Sequence, residues 1–551
     1  MHLSYAHGVA SRPLLGQTLG QALDTAASRF GARDALISLH QNLRYSYAEL
    51  LHEVNRAAKA LIALGVQRGD RVGIWSPNNA EWAITQYAAA KAGAILVNVN
   101  PAYRARELRY GLTQSGVSVL ISARGFRSAD YVQMLDELAP ALPDLRHVVF
   151  LGDSDLPGGV TWADFLRHGD GVSDGELARR EALLQFDDAV NIQYTSGTTG
   201  VPKGATLSHH NILNNGYFVG EALHYTEEDR ICLPVPFYHC FGCVLGNMAA
   251  VTHGCAIVLP AESFDPEATL RAISTERCTS IYGVPTMFIA QLNHAAFETF
   301  CLESLRTGIM AGAPCPVDVM RRVIDRMHAR DVTIGYGMTE TSPVSLQSAM
   351  DDPIEVRVST VGRVHPHVEC KIIDPQTGAI VPRGTRGELC ARGYLVMLGY
   401  WDDGAATTRV IDAARWMHTG DLATMSADGY VSISGRIDDM IIRAGENIYP
   451  REIEEFLHTH PKITQACVIG VPDHHYGEQV CAWIAVRDGE TVTADEVRAF
   501  CHGQISSHKI PRYVRVTCDF PMTVTGKIQK FRMREISVEE LELGLGATTR
   551  T

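Results

Sequence analysis

The chain has 551 residues, a formal net charge of −13, 46% apolar residues and 20% charged residues. This length exceeds the roughly 250–300 residues beyond which single cores split, so at least two domains are expected. The acidic balance argues against a nucleic-acid-binding protein, which needs a basic face. The opening MHLSYAHGVASRP lacks the apolar core of a secretory signal. The most apolar long stretch, 240–260, is interrupted by Asn247, Thr252 and His253, which indicates buried core rather than a membrane span.

Cysteine usage indicates a reducing compartment. Thirteen cysteines are scattered along the chain, and this pattern predicts free thiols and a cytoplasmic location. Cys240 and Cys243 form the one C-x-x-C pair, but two further ligands at zinc spacing are missing. The pair is therefore interpreted as two small buried thiols.

In chain order, short apolar runs alternate with helix-length stretches. The first round consists of the apolar run DRVGIWS, a predicted helix over 79–92, the run AILVNVN, a second predicted helix over ARELRYGLTQSG, and the run VSVLIS. The alternation returns over 211–284, and again from RTGIMAGAP through the predicted helix PVDVMRRVIDRMHAR to VTIGYGMTE. This alternation predicts parallel sheets with covering helices.

The pattern changes at about residue 359. Short β-like segments such as VECKIID and RGELCARG are separated by Gly, Asp and Pro turns up to 435. We predict an α/β fold with a large N-terminal domain of β/α subdomains over 1–435, in which 359–435 form a small β-barrel-like subdomain. A hinge at 436–439 and a smaller, mobile α+β domain over 440–551 complete the prediction.

The stretch YTSGTTGVPKG, 194–204, is the densest motif. Glycines let backbone N–H groups converge on an anion, and hydroxyls add donors without bulk. Lys203 adds a point charge, and a charge pair at 4 Å near a surface is worth roughly 4 kcal/mol before desolvation. A Walker loop requires G-x-x-x-x-G-K-S/T, which this stretch does not satisfy because Gly204 follows Lys203. On composition alone, a phosphate loop and an ordinary turn both stay open.

Five motifs in register identify a family resemblance. In chain order, these motifs are YTSGTTGVPKG, YGMTE at 336–340, TGD at 419–421, GRIDDMIIRAGENIYPREIE at 435–454 and TVTGKIQK at 523–530. Together they resemble the adenylate-forming (AMP-binding) superfamily, which includes acyl-CoA synthetases, firefly luciferase and non-ribosomal peptide adenylation domains. The resemblance extends from about residue 30 to 535. Three further stretches are similar to acyl-site segments of the medium-chain fatty acid–CoA ligases: PFYHCFGCVLGNM, SIYGVPTMFIAQL and RTGIMAGAPCP.

The resemblance implies an ATP-dependent acyl-CoA ligase with two half-reactions. A hydrophobic carboxylic acid attacks the α-phosphate of Mg-ATP to give an acyl-adenylate and pyrophosphate, and the thiol of CoA then displaces AMP. The implied partners are this small acid, the co-substrates ATP and CoA, and Mg²⁺ as cofactor. Both steps concentrate negative charge, so donors and cations must surround the phosphates.

The same resemblance implies roles for individual residues at the nucleotide. Tyr336 is implied to stack on adenine, Thr339 to donate to the α-phosphate and Glu340 to hold Mg²⁺. Taken alone, Thr339 and Glu340 also fit the first turn of a helix. The residues implied in ATP or AMP binding are Thr195, Ser196, Gly197, Thr198, Thr199, Gly200, Lys203, Gly312, Ala313, Pro314, Gly335, Tyr336, Gly337, Met338, Asp421 and Arg436.

The C-terminal segment is implied to supply the catalytic cation. Lys527 matches the lysine that bridges the attacking carboxylate and the α-phosphate as a charge stabiliser; loss of such a donor typically costs about 10²–10³ in rate. Asp438 matches the hinge, a position where many relatives carry Lys. The swing is implied to withdraw Lys527 and to bring Arg443 and Gly445 to the site, where Gly445 leaves room for the pantetheine chain.

His239, Phe241 and Val284 lie in the segments similar to acyl and CoA sites. For His239 two interpretations stay open: it gates the acyl pocket or CoA tunnel, or it is a structural histidine. A general-base role has no support, because the acid is already ionised and a thiol of pKa near 8.5 needs little help.

Two alternatives to the fatty acid–CoA ligase stay open. One is an acyl-AMP ligase that loads a carrier protein, and another is a ligase for aryl or branched acids. A non-catalytic nucleotide-binding protein is disfavoured, because it would predict the loss of Lys527 or Glu340, and both are present. The apolar FGCVLGNM and VPTMFIAQL favour an apolar tail. A weak membrane contact stays open, and neither acyl length nor oligomeric state is predicted.

Overall fold

The computed structural model describes residues 2–152, 159–195, 202–444, 446–487, 489–523, 528–541 and 543. They form two compact units. The large unit consists of Tyr5–Cys370 and Cys390–His418, and the small unit of Met1–Ser4, Lys371–Leu389 and Thr419–Thr551. The domain boundaries predicted at 436–439 stay a prediction. Within the described ranges, none of the helices has the length and apolar character that crossing a membrane requires.

The helices and strands follow each other in the alternation that the sequence predicts. The α-helices are α1 (Leu19–Phe30), α2 (Tyr47–Ala63), α3 (Ala80–Ala92), α4 (Ala105–Ser115), α5 (Tyr131–Leu138), α6 (Trp162–His168), α7 (Asp174–Glu181), α8 (His209–Ala222), α9 (Cys240–Cys243), α10 (Asn247–His253), α11 (Pro266–Glu276), α12 (Pro285–Leu292), α13 (Val317–Met327), α14 (Ile354–Ser359), α15 (Gly404–Val410), α16 (Pro450–Leu457), α17 (Ala494–Cys501) and α18 (Lys530–Glu540). The strands are β1 (Tyr5–His7), β2 (Asp34–Ser38), β3 (Leu43–Ser46), β4 (Arg71–Trp75), β5 (Ile95–Val99), β6 (Val117–Ser122), β7 (Gly125–Phe126), β8 (Ala129–Asp130), β9 (His147–Phe150), β10 (Val160–Thr161), β11 (Ala189–Thr195), β12 (Lys203–Ser208), β13 (Arg230–Cys232), β14 (Ala256–Leu259), β15 (Ser280–Gly283), β16 (Thr307–Ala311), β17 (Asp331–Gly337), β18 (Val344–Gln347), β19 (Arg363–Val364), β20 (Val368–Ile373), β21 (Gly387–Gly393), β22 (Gly399–Tyr400), β23 (Met417–Met425), β24 (Val431–Arg436), β25 (Ile441–Arg443), β26 (Glu446–Ile448), β27 (Ile463–Asp473), β28 (Gly477–Val486) and β29 (Tyr513–Val516).

Two mixed sheets build the large unit. One has the order β10-β9-β6-β4-β5-β11-β12-β22, and the other has the order β19-β18-β17-β16-β15-β13-β14-β2-β3. Their central strands pair in parallel, for example β4 with β5 and β16 with β17. Every residue of β5 and β6 is buried, as expected for parallel strands covered on both faces. The predicted parallel α/β architecture is confirmed.

Helix ends follow local sequence signals. The helix predicted over 79–92 begins after Asn79, whose side chain accepts from the backbone N–H of Trp82, and ends at Gly93, which takes φ 80°. The helix predicted over PVDVMRRVIDRMHAR is shorter than expected: α13 ends at Met327, because His328 adopts the left-handed conformation with φ 62°.

The β-rich segment predicted from 359 forms part of a five-stranded sheet in the order β1-β20-β21-β23-β24. Strand β1 comes from the N-terminus, which the sequence pattern does not indicate. The division between the two units falls inside strands β20, β21 and β23.

The C-terminal part of the small unit has its own α+β core. Its sheet runs β26-β25-β28-β27, with β29 paired to β28. Long strands β27 and β28 pair in antiparallel register from Ile463↔Val486 to Asp473↔Gly477. Trp483 lies in this core and donates its indole N–H to the Ser537 hydroxyl of α18 at 2.9 Å. The predicted α+β character is confirmed.

Candidate nucleotide-binding site

The glycine-rich motif lies between two strands that pair with each other. Strand β11 ends at Thr195 and β12 begins at Lys203, and these two residues are directly opposite in an antiparallel pair. The Thr195 hydroxyl donates to the backbone carbonyl of Lys203 at 3.4 Å. Thr195 and Lys203 are therefore fixed side by side. The predicted loop residues between them lie outside the described part of the chain: Ser196, Gly197, Thr198, Thr199 and Gly200.

Helix α4 supports both ends of this hairpin loop. The Tyr194 hydroxyl donates to Gln114 Oε1 at 2.5 Å and contacts the Gly111 carbonyl at 3.0 Å. The Tyr110 hydroxyl donates to the carbonyl of Pro202 at 3.1 Å. Burial raises the pKa of Tyr194, so its hydroxyl remains a donor. Sequence reasoning did not find this support, because no motif marks α4.

The predicted adenine segments lie at the ends of two adjacent parallel strands. Ala311, the last residue of β16, is paired with Gly335 of β17. Gly312, Ala313 and Pro314 follow β16 directly, so their segment starts beside 335–337. The carboxyl ends of parallel strands are the usual edge for ligands in α/β sheets. The structure thus brings together two segments that are separate in sequence.

Close packing explains the second glycine of the GYG sequence. A Cβ at Gly337 would lie 1.6 Å from the carbonyl oxygen of Pro343, whereas a Cβ at Gly335 would meet its nearest atom at 3.5 Å. Strand pairing also shifts register between Tyr336 and Gly337. The chain therefore turns tightly behind Tyr336, and only glycine fits at 337 without displacing backbone.

Glu340 is a buried carboxylate on the short 3₁₀ turn Thr339–Thr341, with a 6% exposed side chain. Its Oε1 accepts a hydrogen bond from the Tyr400 hydroxyl at 2.8 Å. Its backbone carbonyl accepts from the N–H of Met397 at 3.0 Å. Thr339 and Glu340 lie in the first turn of this short helix, as their pattern taken alone also predicts, and the Thr341 hydroxyl accepts from the backbone N–H of Met338 at 3.1 Å.

A cation and an aromatic ring connect the start of β12 to this turn. The Lys203 Nζ lies 5.4 Å from the centroid of the Tyr400 ring, within the range of a cation–π contact. Since Tyr400 also binds Glu340, it links the two predicted nucleotide motifs. Tyr400 is a residue that sequence reasoning missed.

His239 has a structural role in the fold. Its Nδ1 accepts from the backbone N–H of Phe241 at 3.1 Å and so caps α9. The neighbouring Cys240 Sγ lies 3.8 Å from the Thr339 hydroxyl. Burial raises the pKa of Cys240 to about 12, so the thiol is protonated. Gating of the acyl pocket by His239 stays a prediction.

Phe241 and Val284, also predicted at the acyl site, pack in the apolar core. The ring of Phe241 stacks on that of Tyr282, with centroids 5.7 Å apart. Val284 precedes α12, and its Cγ1 lies 3.2 Å from the position of a Cβ at Gly312. Val284 therefore borders the segment that the sequence assigns to adenine.

The small unit carries the predicted ribose-binding pair. Asp421 on β23 is directly opposite Arg436 on β24, and Arg436 Nε donates to Asp421 Oδ1 at 3.1 Å. The Asp421 side chain is largely buried, and its backbone N–H contacts the Thr419 hydroxyl at 3.1 Å. This hydrogen bond fixes the position of the Asp421 carboxylate beside Arg436.

The remaining predicted residues of the small unit follow this pair. Asp438 lies between β24 and β25. Arg443, at the end of β25, donates from Nε to Gln479 Oε1 at 2.8 Å, and its guanidinium lies 4.5 Å from the Tyr476 ring centroid. Gly445 and Lys527 lie outside the described residues.

The strand-end glycine segments, the buried acidic turn and the lysine-bearing hairpin all belong to an α/β fold. Residues 23–401 match the family described as AMP-binding enzyme, and residues 452–527 match the C-terminal domain of AMP-binding enzymes. The chain belongs to the AMP-binding enzymes.

Similar proteins indicate which kind of AMP-binding enzyme this chain is. The Bacillus subtilis protein YngI, named provisionally as an acyl-CoA synthetase, is 47% identical over 543 residues, which cover 96% of this chain and 99% of YngI. The medium-chain acyl-CoA ligase ACSF2 of Danio rerio, a mitochondrial protein, is 45% identical over 98% of this chain and 91% of its own length. The crystal structure of the anthranilate CoA ligase AuaEII with anthranoyl-AMP matches with a TM-score of 0.85 and 25% identity, over 96% of this chain and 99% of that chain. The predicted class, an AMP-forming acid–thiol ligase, is confirmed.

Proposed function

We propose that this protein activates a medium-chain fatty acid as its acyl-adenylate and transfers the acyl group to CoA. The observation that carries this proposal is the link from Lys203 through Tyr400 to the buried Glu340, since it connects the lysine proposed to bind phosphates with the carboxylate proposed to bind Mg²⁺. The choice of a medium-chain acid rests on the 45% identity to a ligase named for that substrate. The apolar packing around Phe241 and Tyr282 supports an apolar tail.

The proposal gives each part of the site a task. Residues 195–203 hold the β- and γ-phosphates, Tyr336 stacks on adenine beside 312–314, and Thr339 donates to the α-phosphate. Asp421, oriented by Arg436, accepts from the ribose hydroxyls. Lys527 stabilises the charge that develops between the carboxylate and the α-phosphate. The residues present satisfy the chemistry of adenylation without a general base.

The residues around Glu340 fit a magnesium ion. The buried Glu340 carboxylate supplies oxygen donors, and Mg²⁺ prefers such hard ligands with several retained waters. When bound, the ion neutralises charge on the triphosphate. Glu340 would hold it, while Tyr400 keeps the carboxylate in place.

Domain alternation completes the proposal. Residues 436–439 form the hinge around Asp438, and the swing of 440–551 exchanges Lys527 for Arg443 and Gly445 between the two half-reactions. We further propose that the reaction takes place in the cytoplasm, on small-molecule partners. All thirteen cysteines are free thiols, and eleven of them are buried, which suits a reducing compartment.

The test measures pyrophosphate release with Mg-ATP across straight-chain acids from acetate to palmitate, with benzoate added, in the presence and absence of CoA. We expect a maximum between hexanoate and decanoate, with turnover that requires CoA and forms AMP. A single-turnover burst that CoA does not change would point to a carrier protein as acceptor and overturn the CoA assignment. A maximum at benzoate would overturn the fatty acid.

Two variants connect this activity to the proposed machinery. Lys527→Met is expected to reduce adenylation by about 10²–10³-fold. The control is Lys462→Met in the same part of the chain, whose side chain is 37% exposed, and which is expected to leave the rate unchanged. Equal rates in both variants would remove Lys527 from the mechanism.

A further inference from the structure

A single segment, 395–401, connects the acidic turn with the hairpin of the phosphate loop. On one side, the Ser342 hydroxyl donates to the Leu395 carbonyl at 2.6 Å, and Met397 N–H donates to the Glu340 carbonyl at 3.0 Å. On the other side, Trp401 N–H donates to the Gly204 carbonyl at 2.7 Å. We call 395–401 the bridging segment.

Strand pairing fixes the orientation of the bridging segment. Strand β22 pairs with β12 in antiparallel register, with Ala205 opposite Tyr400. The Tyr400 N–H donates to the Thr407 hydroxyl at 2.9 Å, and the Trp401 carbonyl accepts from Gln114 at 2.7 Å. Tyr400 therefore has a defined backbone position on the side of the hairpin where Lys203 begins β12.

The side chain of Tyr400 contacts two charged groups with two different parts of its surface. Its hydroxyl donates to Glu340 Oε1 at 2.8 Å, and its ring faces Lys203 Nζ at 5.4 Å from the centroid. The side chain is largely buried, with 9% exposed.

A purely structural tyrosine would need only a backbone carbonyl as acceptor. Tyr87 is such a case, since it is fully packed in the core and donates to the Asn247 carbonyl at 3.0 Å. Tyr400 instead uses one oxygen of the carboxylate that is proposed to hold Mg²⁺. Such a bond restricts the rotation of Glu340 and uses one of its two carboxylate oxygens.

We propose that Tyr400 is a positioning residue of the nucleotide site, whose hydroxyl orients Glu340 and whose ring holds Lys203 beside the phosphate loop. It thereby couples the carboxylate for the metal to the cation for the phosphates. This proposal rests on the proposed function, because it assigns Glu340 and Lys203 to Mg-ATP. In this role Tyr400 acts through Glu340 and Lys203.

Two substitutions separate the hydroxyl from the ring. In Tyr400→Phe the ring stays and Glu340 loses its donor, so we expect Mn²⁺ affinity in the presence of a non-hydrolysable ATP analogue to fall by about tenfold, the usual loss for a bond to a charged group. Metal-free binding of the analogue is expected to stay the same. In Tyr400→Leu the ring is also lost, and metal-free binding is expected to weaken as well, because Lys203 loses its contact.

The measurements are Mn²⁺ binding by electron paramagnetic resonance, analogue binding by calorimetry, and the rates of the two half-reactions. Adenylation is followed by exchange of pyrophosphate into ATP, and the second half-reaction by transfer from preformed acyl-adenylate to CoA. We expect Tyr400→Phe to reduce adenylation and to leave transfer to CoA unchanged. Tyr87→Phe is the control: it loses a buried hydroxyl and is expected to change Tm but not Mn²⁺ affinity.

Two outcomes would overturn the proposal. If Tyr400→Phe binds Mn²⁺ like the unaltered protein, the hydroxyl does not position Glu340. If both half-reactions and Tm fall together, as in an ordinary core substitution, the role is structural. A failure of the proposed function gives a different result, because the unaltered protein would then make no acyl-CoA from any acid tested. The binding measurements with Mn²⁺ and the ATP analogue would still decide the role of Tyr400.

Discussion

At the scale of single residues, the structure contains a lysine whose charge is almost completely removed from water. Lys91 on α3 has a 1% exposed side chain and binds Asp24 at 2.8 Å and Glu181 at 2.7 Å. Burial raises the pKa of Glu181, although Lys91 opposes this shift. A buried charge is tolerated here because two carboxylates compensate it.

We predict that Lys91→Met destabilises the protein by about 3 kcal/mol at pH 7, because the substitution leaves Glu181 without its cation. The figure lies at the low end of the usual range, since Asp24 is 45% exposed and stays partly solvated. A carboxyl group whose pKa is raised in the folded state favours folding at low pH. The same group lowers the stability of the fold as the pH rises through its pKa. The loss in the variant is therefore expected to be smaller at pH 5 than at pH 7.

Urea unfolding of both proteins at the two pH values measures this difference. Lys59→Met is a matched control, because Lys59 binds Asp174, whose side chain is 95% exposed, and surface pairs contribute little. A loss in Lys91→Met that is independent of pH would contradict the assignment of the charge to Glu181.

At the scale of elements, the end of β17 shows why a short motif needs particular residues. Gly337→Ala is predicted to weaken ATP binding by at least tenfold, because its Cβ would lie 1.6 Å from the Pro343 carbonyl and would displace the turn that carries Thr339 and Glu340. Gly335→Ala, with its nearest contact at 3.5 Å, is expected to bind ATP normally. Calorimetric titration of both variants tests this, and equal affinities would contradict the steric argument.

The elements also show what could be predicted from sequence. The alternation of apolar runs and helical stretches predicted the parallel sheets, since each run is long enough to form one buried strand. It did not predict β22, which has two residues and exists only because it pairs with β12. Similarly, the early end of α13 follows from the conformation of His328 rather than from apolar periodicity.

At the scale of the whole molecule, an ion-pair cluster in the small unit joins 371–389 to the segment that follows the predicted hinge. Glu452 of α16 accepts from Arg386 at 2.7 Å and from Lys509 at 2.6 Å, and Arg386 lies 4.0 Å from the Tyr449 ring centroid. Burial alone would raise the pKa of Glu452, but the two cations outweigh it and lower the pKa. If 440–551 swings as proposed, this cluster must break in one of the two states.

We therefore predict that Glu452→Gln changes the two half-reactions in opposite directions, each by a few fold, because a contact present in one state biases the equilibrium between the two. Exchange of pyrophosphate and transfer from acyl-adenylate to CoA are measured separately. Glu455→Gln on the same helix is the control, since its pair with Arg451 is exposed and local. A parallel loss in both half-reactions, together with a lower Tm, would indicate a stabilising contact without a role in alternation.

The sequence by itself determined the α/β architecture, because the alternation of apolar runs and helical stretches is present in a linear chain. It also determined the class of enzyme, through the resemblance of five ordered motifs to a known family. Only the tertiary structure decided how the motifs are connected: Tyr194 with α4, the strand ends at Ala311 and Gly335, and Tyr400 between Lys203 and Glu340. These contacts join residues that are distant in sequence, and their partners are selected by strand pairing and burial, which no local pattern encodes.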